Sequence, residues 1–188
     1  MSVKVFGVVG EIGSGKDEVL KYLKARYGVP YISTGDIVRR IAESENVEST
    51  RENLEKISLR CFKEMGGGCF IRQAAAEILS NGWQMAGISG VRSPDDVEAL
   101  KSMFGKDFLL IRVDISNPET RFQRVRLRNE ERDPITFNQL LEQDKNEENT
   151  FRISQTGRQA NFVLNNDGNV EDLHRAIDEL VTSGKLLS

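Results

Sequence analysis

Residues 3–17 read Val3-Lys4-Val5-Phe6-Gly7-Val8-Val9-Gly10-Glu11-Ile12-Gly13-Ser14-Gly15-Lys16-Asp17. An apolar, β-branched run passes directly into G-x-x-x-x-G-K, and that spacing has a mechanical reason. Glycines let the backbone curl until successive N–H groups converge on phosphate oxygens, while the lysine reaches the terminal phosphates. Downstream, Val19, Leu20, Leu23 and Tyr27 recur at helical spacing before Gly28 and Pro30 close the segment. Strand, glycine-rich turn and helix in that order make residues 10–16 a phosphate-binding loop, with Lys16 its leading functional side chain.

The residue after the lysine departs from the usual pattern. In such loops a hydroxyl there ligates the magnesium ion of the bound nucleotide; this chain has Asp17. Two roles suit it. A carboxylate is a hard oxygen ligand that can hold magnesium, and acidic side chains such as Asp17 and Glu18 also favour the N-terminus of a helix.

A chain of 188 residues with 29% charged and 38% apolar composition has the profile of one soluble domain. Its net charge of −3 argues against nucleic acid as a partner and leaves room for a local basic site. Cys61 and Cys69 form no C-x-x-C pair and no histidine cluster accompanies them, so neither zinc nor a disulfide framework is expected. His174, the sole histidine, is expected to be a surface or satisfied residue, which removes histidine-based nucleophile chemistry. No charged-then-apolar leader precedes the first strand and no apolar stretch reaches membrane-span length, so a cytoplasmic protein with no membrane partner is expected.

Beyond the loop, strands and helices alternate. Tyr31-Ile32 is a short strand, and Ser33-Thr34-Gly35-Asp36 starts a helix that continues through Ile37, Val38 and Ile41. Residues 43–49 read as a polar loop, and 50–65 as a helix ended by Gly66-Gly67-Gly68, a candidate hinge. A helix over 70–79, a weaker strand signal over 83–88 and a ligand-side loop at Ser89-Gly90-Val91-Arg92 follow. Ser93-Pro94 opens another helix, Phe108–Asp114 is a strand buried on both faces, and Asn117-Pro118 caps the helix after it. Thr136 begins a further helix, 162–164 is the last strand and 170–181 the last helix. Such alternation predicts a parallel sheet covered on both faces.

Arg121, Arg124, Arg126, Arg128 and Arg132 fall in one short segment, and the first, second and fourth share a helical face. Guanidinium groups pair phosphate oxygens bidentately and suit a transferring phosphoryl group. A solvated helix pairing these arginines with Glu119, Glu130 and Glu131 accounts for the same pattern. Arg39 and Arg92 each lie just past a strand on the crevice side, where an acceptor's phosphate can be gripped or an arginine simply solvated.

Gly10 to Lys16 followed by Ser33-Thr34-Gly35-Asp36-Ile37-Val38-Arg39 resembles the opening half of the nucleoside monophosphate kinases, adenylate kinase in particular. Gly90-Val91-Arg92 is similar to that family's glycine-to-arginine acceptor loop, and Arg124-Val125-Arg126-Leu127-Arg128 to the R-x-x-x-R that begins its lid. The C-terminal part resembles instead the dephospho-coenzyme A kinases, whose A-D-x-V-I-x-N-x-G is similar to Ala160-Asn161-Phe162-Val163-Leu164-Asn165-Asn166-Asp167-Gly168.

The resemblance implies a P-loop NTPase fold, a three-layer αβα sandwich whose central parallel sheet has about five strands. It implies a single domain over 1–188, an acceptor-binding helical insertion at about 34–82 and a small arginine-rich lid at about 121–135. ATP and magnesium are implied, with Gly10, Glu11, Ile12, Gly13, Ser14, Gly15, Lys16, Asp17 and Glu18 around the phosphates. Asn166, Asp167 and Gly168 would lie against the donor's base, and Thr34, Asp36, Arg39 and Arg92 would surround a small phosphorylated acceptor. Lys16, Arg92, Arg124 and Arg128 would be catalytic. Two positions depart from the family: Ser89 stands where an acidic residue normally helps to place magnesium, and Asn161 where aspartate is common. If Asp17 supplies the missing charge from the other side, it is the metal ligand. The expected activity is transfer of the γ-phosphoryl group of ATP to a nucleoside monophosphate. Dephospho-coenzyme A is the alternative acceptor, and a non-catalytic nucleotide-binding regulator the rival outside enzymes. No N-K-x-D stretch is present to read guanine. The residues leave the oligomeric state open.

Overall fold

The strand β1 (Lys4–Val9) divides its side chains between two cores. Val5 and Val9 point to one and Phe6 and Val8 to the other, none of them more than 1% exposed, as a strand covered on both faces requires. The structure, a computed structural model, describes residues 3–128 and 136–186; the side chains of Arg51 and Arg128 fall outside that description. Arg132, Glu130, Glu131 and the second half of the expected lid also lie outside the described residues.

β1 is the middle of a five-stranded sheet of order β2-β3-β1-β4-β5 with every pairing parallel. The other strands are β2 (Tyr31–Ser33), β3 (Met85–Ser89), β4 (Phe108–Asp114) and β5 (Phe162–Asn165). Helices in chain order are α1 (Lys16–Tyr27), α2 (Thr34–Ser44), α3 (Arg51–Met65), α4 (Cys69–Ser80) and α5 (Pro94–Phe104), then α6 (Pro118–Arg128), α7 (Phe137–Phe151), α8 (Ile153–Gly157) and α9 (Val170–Thr182). α1 and α9 cover one face through Leu20, Leu23, Leu173 and Ile177, while α2 to α5 and α8 cover the other around Ile71, Ile78, Leu100 and Ile153. This is the αβα sandwich of the P-loop NTPases, with the loop leaving the C-terminal end of the central strand.

Several local expectations are refined. α2 extends through Ser44 into the stretch read as polar loop, because Val47 N–H folds back onto Ala42 O at 2.8 Å and gives the helix an anchored exit. α8 was not expected, since five residues are too few to display a period. The glycine triplet is a packed corner: Arg72 donates to Met65 O and Gly67 O, both at 2.8 Å, and Gly67 lies against Asp95. Cys61 and Cys69 are both free thiols buried in the larger core, and burial pushes each thiol pKa up. Among the described residues, no helix is long and apolar enough to cross a membrane.

Candidate functional site

Gly13 and Gly15 adopt left-handed conformations (φ 77° and 91°) that bend the chain between β1 and α1. Within the bend Ser14 N–H donates to Glu11 O at 3.1 Å, and Lys16 Nζ donates to the same carbonyl at 3.3 Å. The lysine thus lies across the loop it serves. Two distant side chains brace the outside. Arg121 Nη1 donates to Ile12 O at 2.9 Å, and Asn166 Nδ2 donates to Ser14 O at 2.8 Å.

Arg121 is 2% exposed, so its charge demands partners. Asp144 of α7 accepts both ends of the guanidinium at 3.1 and 2.7 Å, and Glu11 lies 3.3 Å from Nη2. The backbone of α6 presses directly on the loop, because a Cβ at Gly13 would come within 2.8 Å of Arg121 O and of Val125 Cγ2. The first turns of α6, where the expected lid begins, therefore pack against the loop. Burial raises the Glu11 pKa, with Arg121 opposing the shift.

Where a magnesium site is expected, Ser89 at the end of β3 donates its Oγ proton to Asp17 Oδ1 at 2.8 Å. Two of the departures, Asp17 and Ser89, therefore meet. A hydroxyl and a carboxylate are both present beside the lysine, each contributed by the strand or helix that ordinarily supplies the other. This all-oxygen pair fits a hard cation such as magnesium, whose remaining ligands are commonly phosphate and water. Among the described residues no group of three or more His, Cys, Asp or Glu is placed to hold a metal by itself.

Of the residues expected around an acceptor, Thr34 lies against the loop that carries Arg92. Gly90, at φ 94°, lies so near Thr34 that a Cβ would fall 2.0 Å from its Oγ1. The β2–α2 and β3–α5 turns are thereby pressed edge to edge. Asp36 and Arg39 form an exposed ion pair one turn into α2. Arg92 reaches the other way, 3.5 Å from Glu147 and over the Phe151 ring at 5.4 Å. Its backbone N–H and that of Ser93 both donate to Asp96 Oδ2 at 2.9 Å, while Ser93 Oγ accepts from Asp96 N–H, so α5 begins with a complete capping box. Burial raises the pKa of Asp96 despite those donors.

On the base side, Arg124 donates to Gly168 O, joining α6 to the β5–α9 turn. Asp167 is committed elsewhere: its carboxylate accepts from Ser116 N–H, Ser116 Oγ and Asn165 Nδ2, and these bonds, the backbone one first, hold its pKa below the usual range. The Asn166 carboxamide faces the loop. Glu18, expected among the phosphate contacts, instead turns its carboxylate to His174 Nε2 at 2.8 Å, and the imidazole stacks on Tyr22. Arg128 closes α6, and its side chain is outside the described residues. A groove of about 330 Å³ runs beside Gly10 and Glu11 over Arg112, Asp114 and Ser154; no expected acceptor residue lines it.

Sequence reasoning missed the bracing role of Arg121 and the two α7 carboxylates. The only available signal for Arg121 was its register with Arg124; Asp144 had none.

Residues 9–140 match the AAA domain family AAA_17. A UPF0200 protein of Pyrococcus horikoshii is 35% identical over 185 residues, 96% of each chain. Among solved structures, TT1252 from Thermus thermophilus superposes with a TM-score of 0.69 at 18% identity, covering 97% of this chain and 98% of that one. A shikimate kinase from Bacteroides thetaiotaomicron superposes with 0.58 at 16% identity, over 98% and 99%.

Proposed function

The chain belongs to the AAA_17 family of AAA domains and to the UPF0200 proteins, within the kinase-like P-loop superfamily, and on that footing we propose that it is an ATP-dependent small-molecule kinase. The acceptor we infer is a nucleoside monophosphate. The observation that carries this reading is the Gly90–Thr34 contact, which sets the Thr34-Gly35-Asp36 turn and the Arg92 loop side by side at the edge of the phosphate loop.

In this reading catalysis is positional and electrostatic. Lys16 and the loop amides hold the donor's outer phosphates. Asp17 and Ser89 would hold magnesium, which would supply positive charge to offset that of the donor's phosphates. Arg39 and Arg92 leave Asp36 and Glu147 to grip the acceptor, and Arg124 with Arg128 neutralises charge on the moving group. No covalent enzyme intermediate is required.

Dephospho-coenzyme A remains the second acceptor class, favoured by one observation. Asn161 Oδ1 accepts from Leu110 N–H at 2.8 Å, a task aspartate performs equally, so the departure at this position keeps the structural contact. The test offers purified protein, ATP and magnesium each ribo- and deoxynucleoside monophosphate, dephospho-coenzyme A and shikimate, and records ADP release and product identity. Turnover with a monophosphate, reduced about 100-fold or more by Lys16→Ala, supports the proposal. ATP binding without turnover on any acceptor would identify a regulator instead.

A further inference from the structure

A trans peptide holds its C=O and the following N–H in one plane, pointing in opposite directions. The described backbone contains no cis peptide bond. Fixing the Ile12 carbonyl therefore fixes the direction of the Gly13 N–H, and fixing the Ser14 carbonyl fixes that of Gly15. Both carbonyls are held from outside the loop, by Arg121 Nη1 at 2.9 Å and Asn166 Nδ2 at 2.8 Å. Neither donor is a neighbour in sequence, for they lie 109 and 152 residues away from the carbonyls they hold.

We propose that Arg121 and Asn166 are positioning residues that aim the Gly13 and Gly15 amides into the anion seat, with Asp144 orienting Arg121. The assignment rests on the nucleotide-binding reading above and gives Asn166 a task different from contact with the donor's base. Three features argue for it. Arg121 Nε is buried without a partner, an arrangement that apolar packing of the same volume would improve on for stability alone. What an apolar residue cannot provide is a donor for a loop carbonyl. Asn166, 5% exposed, abuts Gly15 so closely that a Cβ there would fall 2.3 Å from Nδ2, and that same Nδ2 is committed to the Ser14 carbonyl at 2.8 Å. Asp144 clamps Arg121 bidentately, which fixes the guanidinium plane and with it the direction of the hydrogen bond to Ile12.

The test measures binding of adenosine, AMP, ADP and ATP, without acceptor, to wild type, Asn166→Leu, Arg121→Met and Asp144→Asn, with melting curves confirming the fold. Each variant should lose affinity in proportion to phosphate content, about tenfold or more for ATP, while adenosine changes less than about twofold. Asp144→Asn keeps the guanidinium and nearly the same volume, so it remains informative if the other two fail to fold. A uniform loss across all four ligands in Asn166→Leu would show base contact and overturn the assignment. Unchanged ATP affinity in folded variants would overturn it while leaving the kinase reading intact. If wild type binds no nucleotide, both fall together.

Discussion

Ser89 and Asp17 face one another at 2.8 Å across the end of β3 and the first turn of α1, the hydroxyl donating to the carboxylate. Each is an anomaly alone; together they place one hydroxyl and one carboxylate side by side next to the loop, as the proposed magnesium site requires. Asp17→Ala should therefore weaken magnesium-dependent turnover about tenfold or more while metal-free nucleotide binding changes little. Equal losses in both measurements would remove Asp17 from the metal site.

The same relationship predicts a rescue. Ser89→Asp alone sets two carboxylates in contact and should reduce turnover, because one must be protonated or displaced. Adding Asp17→Ser regenerates the arrangement usual in these kinases and should recover most of the lost rate. A double-mutant cycle with zero coupling energy would show that the two positions act independently.

Gly90→Ala places a methyl group where Thr34 Oγ1 stands and forces an L-residue to φ 94°. Thermal unfolding should show a loss of about 1–3 kcal/mol, and acceptor affinity should fall more than ATP affinity. Equal loss of both would mean that the turn supports the sheet as a whole.

Asp96→Ala removes the acceptor for two N–H groups and opens the cap of α5. Stability should fall by about 1–3 kcal/mol, read from denaturant midpoints. Because one of those N–H groups belongs to Arg92, acceptor KM should rise while ATP binding stays within about threefold.

Asp167 gives a pH-dependent prediction. Its folded pKa is depressed below the ordinary carboxylate value by hydrogen bonds from Ser116, so the unfolded chain binds the proton more readily. The stabilisation is therefore fully present above the unfolded pKa and is lost as pH falls through the folded one. Asp167→Asn should melt lower than wild type at neutral pH, with the gap narrowing below about pH 4. A gap that stays constant with acidification would exclude the linkage.

How much could be read from residues alone follows from the range of each interaction. The strand, loop and first helix were legible because their signals are local: a nearly continuous apolar run, a glycine spacing, then a period near four. The limits of β4 were equally plain, since its apolar run, interrupted only by Arg112 before Asp114, admits few readings. The function of Arg121 was hidden because its partners lie 23 residues ahead and 109 behind. Asp17 and Ser89, 72 residues apart, were each visible as departures, but their compensation exists only in space. The hydrogen bond of Asn166 to Ser14 spans 152 positions and leaves no periodic trace.

The register of β1 has a consequence for biosynthesis. Val5 pairs with Ala86 on one side and Phe108 on the other, so β1, once it has left the ribosome, waits for some 80 to 100 further residues before it is enclosed. At typical elongation rates this lasts roughly 5 to 20 seconds, during which an uncovered valine-rich ribbon is available to other nascent chains. Such delayed pairing of distant segments slows collapse into the final topology, so yield during expression should respond to lowered temperature or added holdase even where the finished protein is robust.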